Sequence, residues 1–215
     1  MRLRPCIFAF GVILFTIAAL AALVTPADAQ FGRNKIQYKN LKWQVLTTPH
    51  FEIYFHQGSE GFVLRAALIM EDGYRMLADK LQEDLPWKVP VILYGSHSDF
   101  LQTNVANSML PEGVQAFAEP SRKRIVLPFT GSYKAFAHTA VHELAHVFTF
   151  QVVYNRLLDN VFSRNYLFPM PLWMAEGVAE YLSVGWDAES DMFIRDAVIH
   201  DYLMDLDYAA GFMVY

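Results

Sequence analysis

The sequence predicts an α+β fold, with a small twisted mixed sheet in the N-terminal half and helices in the C-terminal half. Two observations carry this. Short segments with period-two alternation or β-rich apolar bursts all lie before Pro128, with a single helical stretch among them. After Pro128 the apolar spacing is helical, and no internal repeat or low-complexity tract interrupts the succession.

Taken in order, the elements begin after a polar, basic stretch at 30–40 that reads as a linker. Trp43 to Leu46 and Phe51 to Phe55 are extended, split by Thr48-Pro49. Residues 60–84 carry Phe62, Ala66, Ile69, Met70, Leu77 and Leu81 at helical spacing, and Leu85-Pro86 closes the run. Val89 to Tyr94 reads as a buried central strand. Val114 to Ala118 and Lys123 to Leu127 form a hairpin about Glu119-Pro120-Ser121-Arg122. Three helices follow, at 133–154, 171–184 and 190–206, with Asn155 to Pro169 as a connection.

The first residues describe an export signal. Arg2 and Arg4 precede an apolar run from Ile7 to Val24, and Ala27-Asp28-Ala29 supplies a small-residue cleavage site before Gln30. The alternative is a retained anchor, since the run is barely long enough to span a bilayer; the A-x-A site favours cleavage. The domains are then 1–29 signal peptide, 30–40 linker and 41–215 a single folded domain, with no stable membrane span after cleavage and a periplasmic or extracellular destination. Cys6 is the only cysteine, so cleavage leaves a chain without disulfides or thiol nucleophiles. The ending Ala209-Ala210-Gly211-Phe212-Met213-Val214-Tyr215 is apolar to the last residue, which reads as a truncated domain.

Composition narrows the function classes. Hydrophobic residues make up 54% and charged residues 18%, which excludes a disordered chain. A net charge of −5, with no basic cluster beyond Arg122-Lys123-Arg124, argues against nucleic acid as a partner. That trio reads as the solvated turn of the hairpin.

The chemistry sits in His142-Glu143-Leu144-Ala145-His146, within a stretch that should be helical. Positions i and i+4 share a helix face about 6 Å apart along the axis, so two imidazoles there can bind one Zn²⁺. Glu143 is rotated about 100° from His142, beside the place where a zinc-activated water would lie, and can act as general base. The flanks are apolar: Ala140, Val141, Val147 and Phe148. A buried helix carrying two imidazoles and a carboxylate without a partner would lose free energy, and a cation removes that loss. The rival reading is a packed helix with two satisfied histidines. Catalytic zinc sites use three protein ligands, and Glu176 stands out as the third. It lies in the apolar run Leu172-Trp173-Met174-Ala175-Glu176-Gly177-Val178-Ala179-Glu180-Tyr181. Glu180, one turn on, can accept the free N–H of a ligand histidine and fix its tautomer; the bland alternative is a solvated acidic face. His138 reads as a supporting or capping residue, and His50, His56 and His97 take no role. The oxyanion donor stays open among Tyr202, Tyr208, His200, Tyr154, Tyr166 and Tyr181.

The two motifs together resemble the gluzincin zinc metallopeptidases, and more narrowly the secreted bacterial peptidase MA-like domains that often precede β-propeller repeats. The resemblance covers about 45 residues closely and the upstream sheet only in order and length. It implies a zincin-like fold, peptide or protein substrates, Glu176 as third ligand and Glu180 as the supporting acid. It also implies that the 123–128 strand is the sheet edge beside the cleft, and that a propeller follows this chain. Three readings compete: an active zinc peptidase, a catalytically inactive zinc-binding scaffold ahead of a propeller, and an envelope protein whose histidines bind nothing. The intact Glu143 separates the first from the second, because a scaffold needs ligands but no base.

Overall fold

A computed structural model describes residues 40–103, 113–119, 122–155, 170–203 and 205. The expected export signal at 1–29, nearly all of the expected linker at 30–40, the stretch 156–169 and the last residues, 206–215, lie outside them. The architecture is α+β, a five-stranded mixed sheet in the N-terminal half with helices in the C-terminal half. Among the described residues no helix is long and apolar enough to cross a membrane.

Strands β1 (Trp43–Thr47) and β2 (Phe51–His56) pair antiparallel. Their turn closes where the Thr48 N–H donates to the Phe51 carbonyl at 2.9 Å and the Phe51 N–H donates to the Thr48 hydroxyl at 3.1 Å. Helix α1 (Glu60–Leu81) then crosses to β3 (Val89–Tyr94), which lies parallel to β2. It stops at Gln82, whose backbone turns left-handed with φ 50° while its N–H bonds the Ala78 carbonyl. The end therefore comes before the Leu85-Pro86 stop that the sequence suggests. A short helix α2 (His97–Leu101) follows β3, and His97 opens it. Ser96 caps it, its hydroxyl accepting from the Asp99 N–H at 3.1 Å.

Strands β4 (Phe117–Glu119) and β5 (Arg124–Pro128) form the second hairpin, with β4 shorter than the Val114 to Ala118 run suggests. The sheet order is β1-β2-β3-β5-β4. This corrects the expectation that 123–128 is the edge. β5 lies parallel to β3 on one side and antiparallel to β4 on the other, and β4 is the edge strand. The physical reason is burial. Ile125, Val126 and Leu127 are fully buried, which an interior strand allows, whereas the three residues of β4 are all half-buried.

The C-terminal half begins with helix α3 (Tyr133–Phe150), capped by Ser132, whose hydroxyl accepts the Ala135 N–H at 3.2 Å. It continues as a π-helical turn, Gln151–Asn155, in place of the regular helix expected to 154. Helix α4 (Leu172–Val184) ends at Gly185, where φ is 77°. Helix α5 (Ala188–Ile199) is capped by Asp187 and stops well short of residue 206, with Asp201 turning left-handed at φ 56°.

The main core lies on one face of the sheet. Phe51, Ile53, Val91, Leu93, Ile125 and Leu127 are fully buried there against α1 and α3. Each such side chain contributes roughly 1.5–3 kcal/mol relative to its exposed state. Tyr94, Phe100 and Val126 form a smaller cluster of their own. Gly73 of α1 lets that helix approach α3: a Cβ placed on it would lie 2.7 Å from Cγ2 of Val141, a buried and β-branched neighbour with little rotamer freedom. Gly73→Ala should therefore destabilise the protein by about 1–3 kcal/mol, despite alanine's better helix propensity. An unchanged midpoint in urea unfolding would show that α1 and α3 can separate at no cost.

Candidate metal centre

Helix α3 brings three histidines onto one face because they are spaced by four: His138, His142 and His146. Opposite them α4 presents two glutamates at the same spacing, Glu176 and Glu180. Helix α4 packs through Ala175, Ala179 and Leu182, all buried. Two alanines on the contact face keep the helices close enough for glutamate side chains to reach imidazoles. A hydrogen bond from Lys80 Nζ to the Leu182 carbonyl, 3.1 Å long, ties the end of α4 to α1.

The atoms meet in two rungs. In the inner one, an oxygen of Glu176 lies 3.2 Å from Nε2 of His142 and 3.6 Å from Nε2 of His146. One donor atom each from His142, His146 and Glu176 falls within 4.8 Å of the others. In the outer rung, one oxygen of Glu180 lies 3.0 Å from both Nδ1 of His142 and Nε2 of His138. His142 thus turns one nitrogen to each glutamate. With Nδ1 donating to Glu180, its Nε2 lone pair faces the Glu176 carboxylate. Two acceptors at that distance repel unless a proton or a cation lies between them, so this donor set fits a cation.

The electrostatics agree with that demand. The hydrogen bond from His142, and then the His146 imidazole 3.6 Å away, hold the Glu176 carboxyl far below the ordinary carboxylate range. Burial pulls the His142 imidazole down, but the bond to Glu176, the Glu143 charge and the bond to Glu180 outweigh it and raise its pKa. Glu180 is opposed by burial, yet its bonds to His138 and His142 leave it lowered. A proton on Nε2 of His142 can fill the place between that nitrogen and Glu176, and a divalent ion would compete with it.

Glu143 is set apart. It is 8% exposed, and burial raises its carboxyl pKa against the charges of His146 and His142. The main-chain N–H of Ala118 donates to it, which links it to the edge strand β4. That partner was not visible in the sequence, because no local spacing relates a strand residue to a helix 25 positions later. Glu176, by contrast, is half exposed, so the inner rung stays open on one side.

The remaining histidines are engaged elsewhere. His50 pairs with Glu71 at 2.6 Å, His56 accepts the Gly95 N–H at 2.9 Å, and His97 donates to the Val114 carbonyl at 3.0 Å. Of the oxyanion candidates, Tyr208 and Tyr166 and the side chain of Tyr154 lie outside the described residues. His200 sits with Asp196 and stacks on Tyr202 past the end of α5. Tyr181 lines an open cavity of about 860 Å³ that also reaches His138, Glu180, Trp186 and Phe193. The cavity borders the outer rung, and its lining does not include Glu143. No family model, curated protein or solved structure matches the chain.

Proposed function

We propose that the chain is an exported zinc-dependent peptidase of the gluzincin type, in which His142, His146 and Glu176 hold the ion and Glu143 is the general base. The observation that carries this reading is the convergence of three donor atoms within 4.8 Å beside a buried carboxylate. Two imidazoles and one carboxylate are a donor set suited to zinc with an open position, and the half-exposed Glu176 leaves access to it. When bound, the ion supplies Lewis acidity that brings the pKa of water toward neutrality.

The chain's own residues do the rest. Glu180 accepts the Nδ1–H of His142 and keeps Nε2 free to ligate. Glu143 accepts the proton of the attacking water and passes it to the leaving amine. Its raised pKa suits it to hold that proton between the two transfers. The Ala118 N–H fixes the carboxyl's position, and β4, as the sheet edge, offers main-chain groups on which an extended peptide can pair.

The direct test is the zinc content of the purified protein followed by hydrolysis of a mixed peptide library. One tightly held zinc and cleavage abolished by a chelator are expected. Zinc without cleavage would leave the scaffold reading, and no zinc would remove both.

A further inference from the structure

The three histidines and two glutamates form a ladder with one more rung than a single ion needs. We propose that the outer rung, His138 with Glu180, is a second and weaker site for a divalent transition-metal ion, and that filling it weakens the inner one. The proposal rests on the reading of the inner rung as the catalytic zinc site.

Its basis is the shared imidazole. One donor atom each from His138, His142 and Glu180 falls within 4.8 Å of the others, the same closeness as in the inner set. His138 and His142 are also one helical turn apart, an arrangement that by itself chelates borderline metals. A neutral imidazole has only one lone pair to give. Once Nε2 of His142 ligates the inner ion, Nδ1 carries the proton and cannot ligate the outer one. The outer rung then keeps two protein ligands, the ring of His138 and the carboxylate of Glu180. Two ligands bind more weakly than three, which ranks the sites.

Accessibility favours occupation of the outer rung. The side chains of His138 and Glu180 are 43% and 44% exposed, against 19% and 12% for His142 and His146. Both also line the open cavity, where water can complete a coordination sphere. An ion there takes up the Glu180 oxygen that lies 3.0 Å from Nδ1 of His142. The inner ligand loses the acceptor that fixes its tautomer, and loss of such a partner typically weakens metal binding about 10- to 100-fold. Excess metal should therefore depress activity by drawing Glu180 away from the ligand histidine that it orients.

Equilibrium dialysis of the full chain against buffered zinc tests this, alongside His138→Ala and His138→Gln. The wild type should show a tight site and a second one at least about 100-fold weaker. Both variants should lose only the weak site, and their activity should resist excess zinc. His138 is well exposed, so the variants should fold, and unchanged circular dichroism would check that. A wild type with one tight site and no second would overturn the proposal while leaving the peptidase reading intact. Retention of the weak site in both variants would also overturn it, because that zinc would then sit elsewhere. A chain that takes up no zinc at all would overturn both.

Discussion

Replacing Glu176 by alanine should lower zinc affinity by more than about a hundredfold while leaving the fold in place. Loss of a supporting residue alone typically costs about 10- to 100-fold, and Glu176 is the proposed direct ligand. Its carboxylate is the only group of α4 that faces both Nε2 atoms, at 3.2 Å from His142 and 3.6 Å from His146. Without it the two imidazoles remain, on one helix and on one side of the ion. The fold should survive because α4 is held by Ala175, Ala179 and Leu182, whereas the Glu176 side chain is 51% exposed. Metal content after dialysis against buffered zinc, with a thermal melt of the metal-free protein as control, separates the two effects. Unchanged zinc content would move the third ligand to another residue. A matching loss of metal-free stability would make Glu176 a structural group instead.

What the sequence made legible follows from how local each feature is. His142 and His146 are related by one helical turn, so their common face can be read from spacing alone. The same holds for Glu176 and Glu180. The meeting of the two pairs is a long-range fact. It depends on Ala175 and Ala179 allowing α4 close to α3, and the apolar run around them gives no sign of which face turns inward. The strands were legible as β1 to β3 because alternation in Phe51 to Phe55 and the burst from Val89 to Tyr94 encode burial directly. The edge was not. A hairpin's sequence does not say which of its two strands meets the rest of the sheet, and the structure joins β5, not β4, to β3. The end of α5 was also hidden. Apolar residues continue through Leu203, so the pattern gave no stop, and the backbone instead breaks at Asp201.

Glu143→Gln should do the reverse of Glu176→Ala: zinc retained, hydrolysis lost by about 10²- to 10⁴-fold, the usual contribution of a general base. That range corresponds to about 3–5 kcal/mol of transition-state stabilisation. The amide is nearly isosteric with the carboxyl, so packing at this buried position should persist. The Ala118 N–H can still donate to the amide oxygen. What the amide lacks is the ability to take a proton. Removing the charge also removes one of the influences that raise the His142 pKa, so a proton competes less well for that imidazole. The lost charge would have attracted a dication as well as a proton, so the two effects oppose each other and zinc should be retained. This outcome distinguishes the general base from a merely structural carboxylate. Loss of a structural group would lower stability and metal content together with activity, whereas loss of the base should lower kcat alone. Retained activity in this variant, with zinc bound, would require that the proton of the attacking water leave by another route.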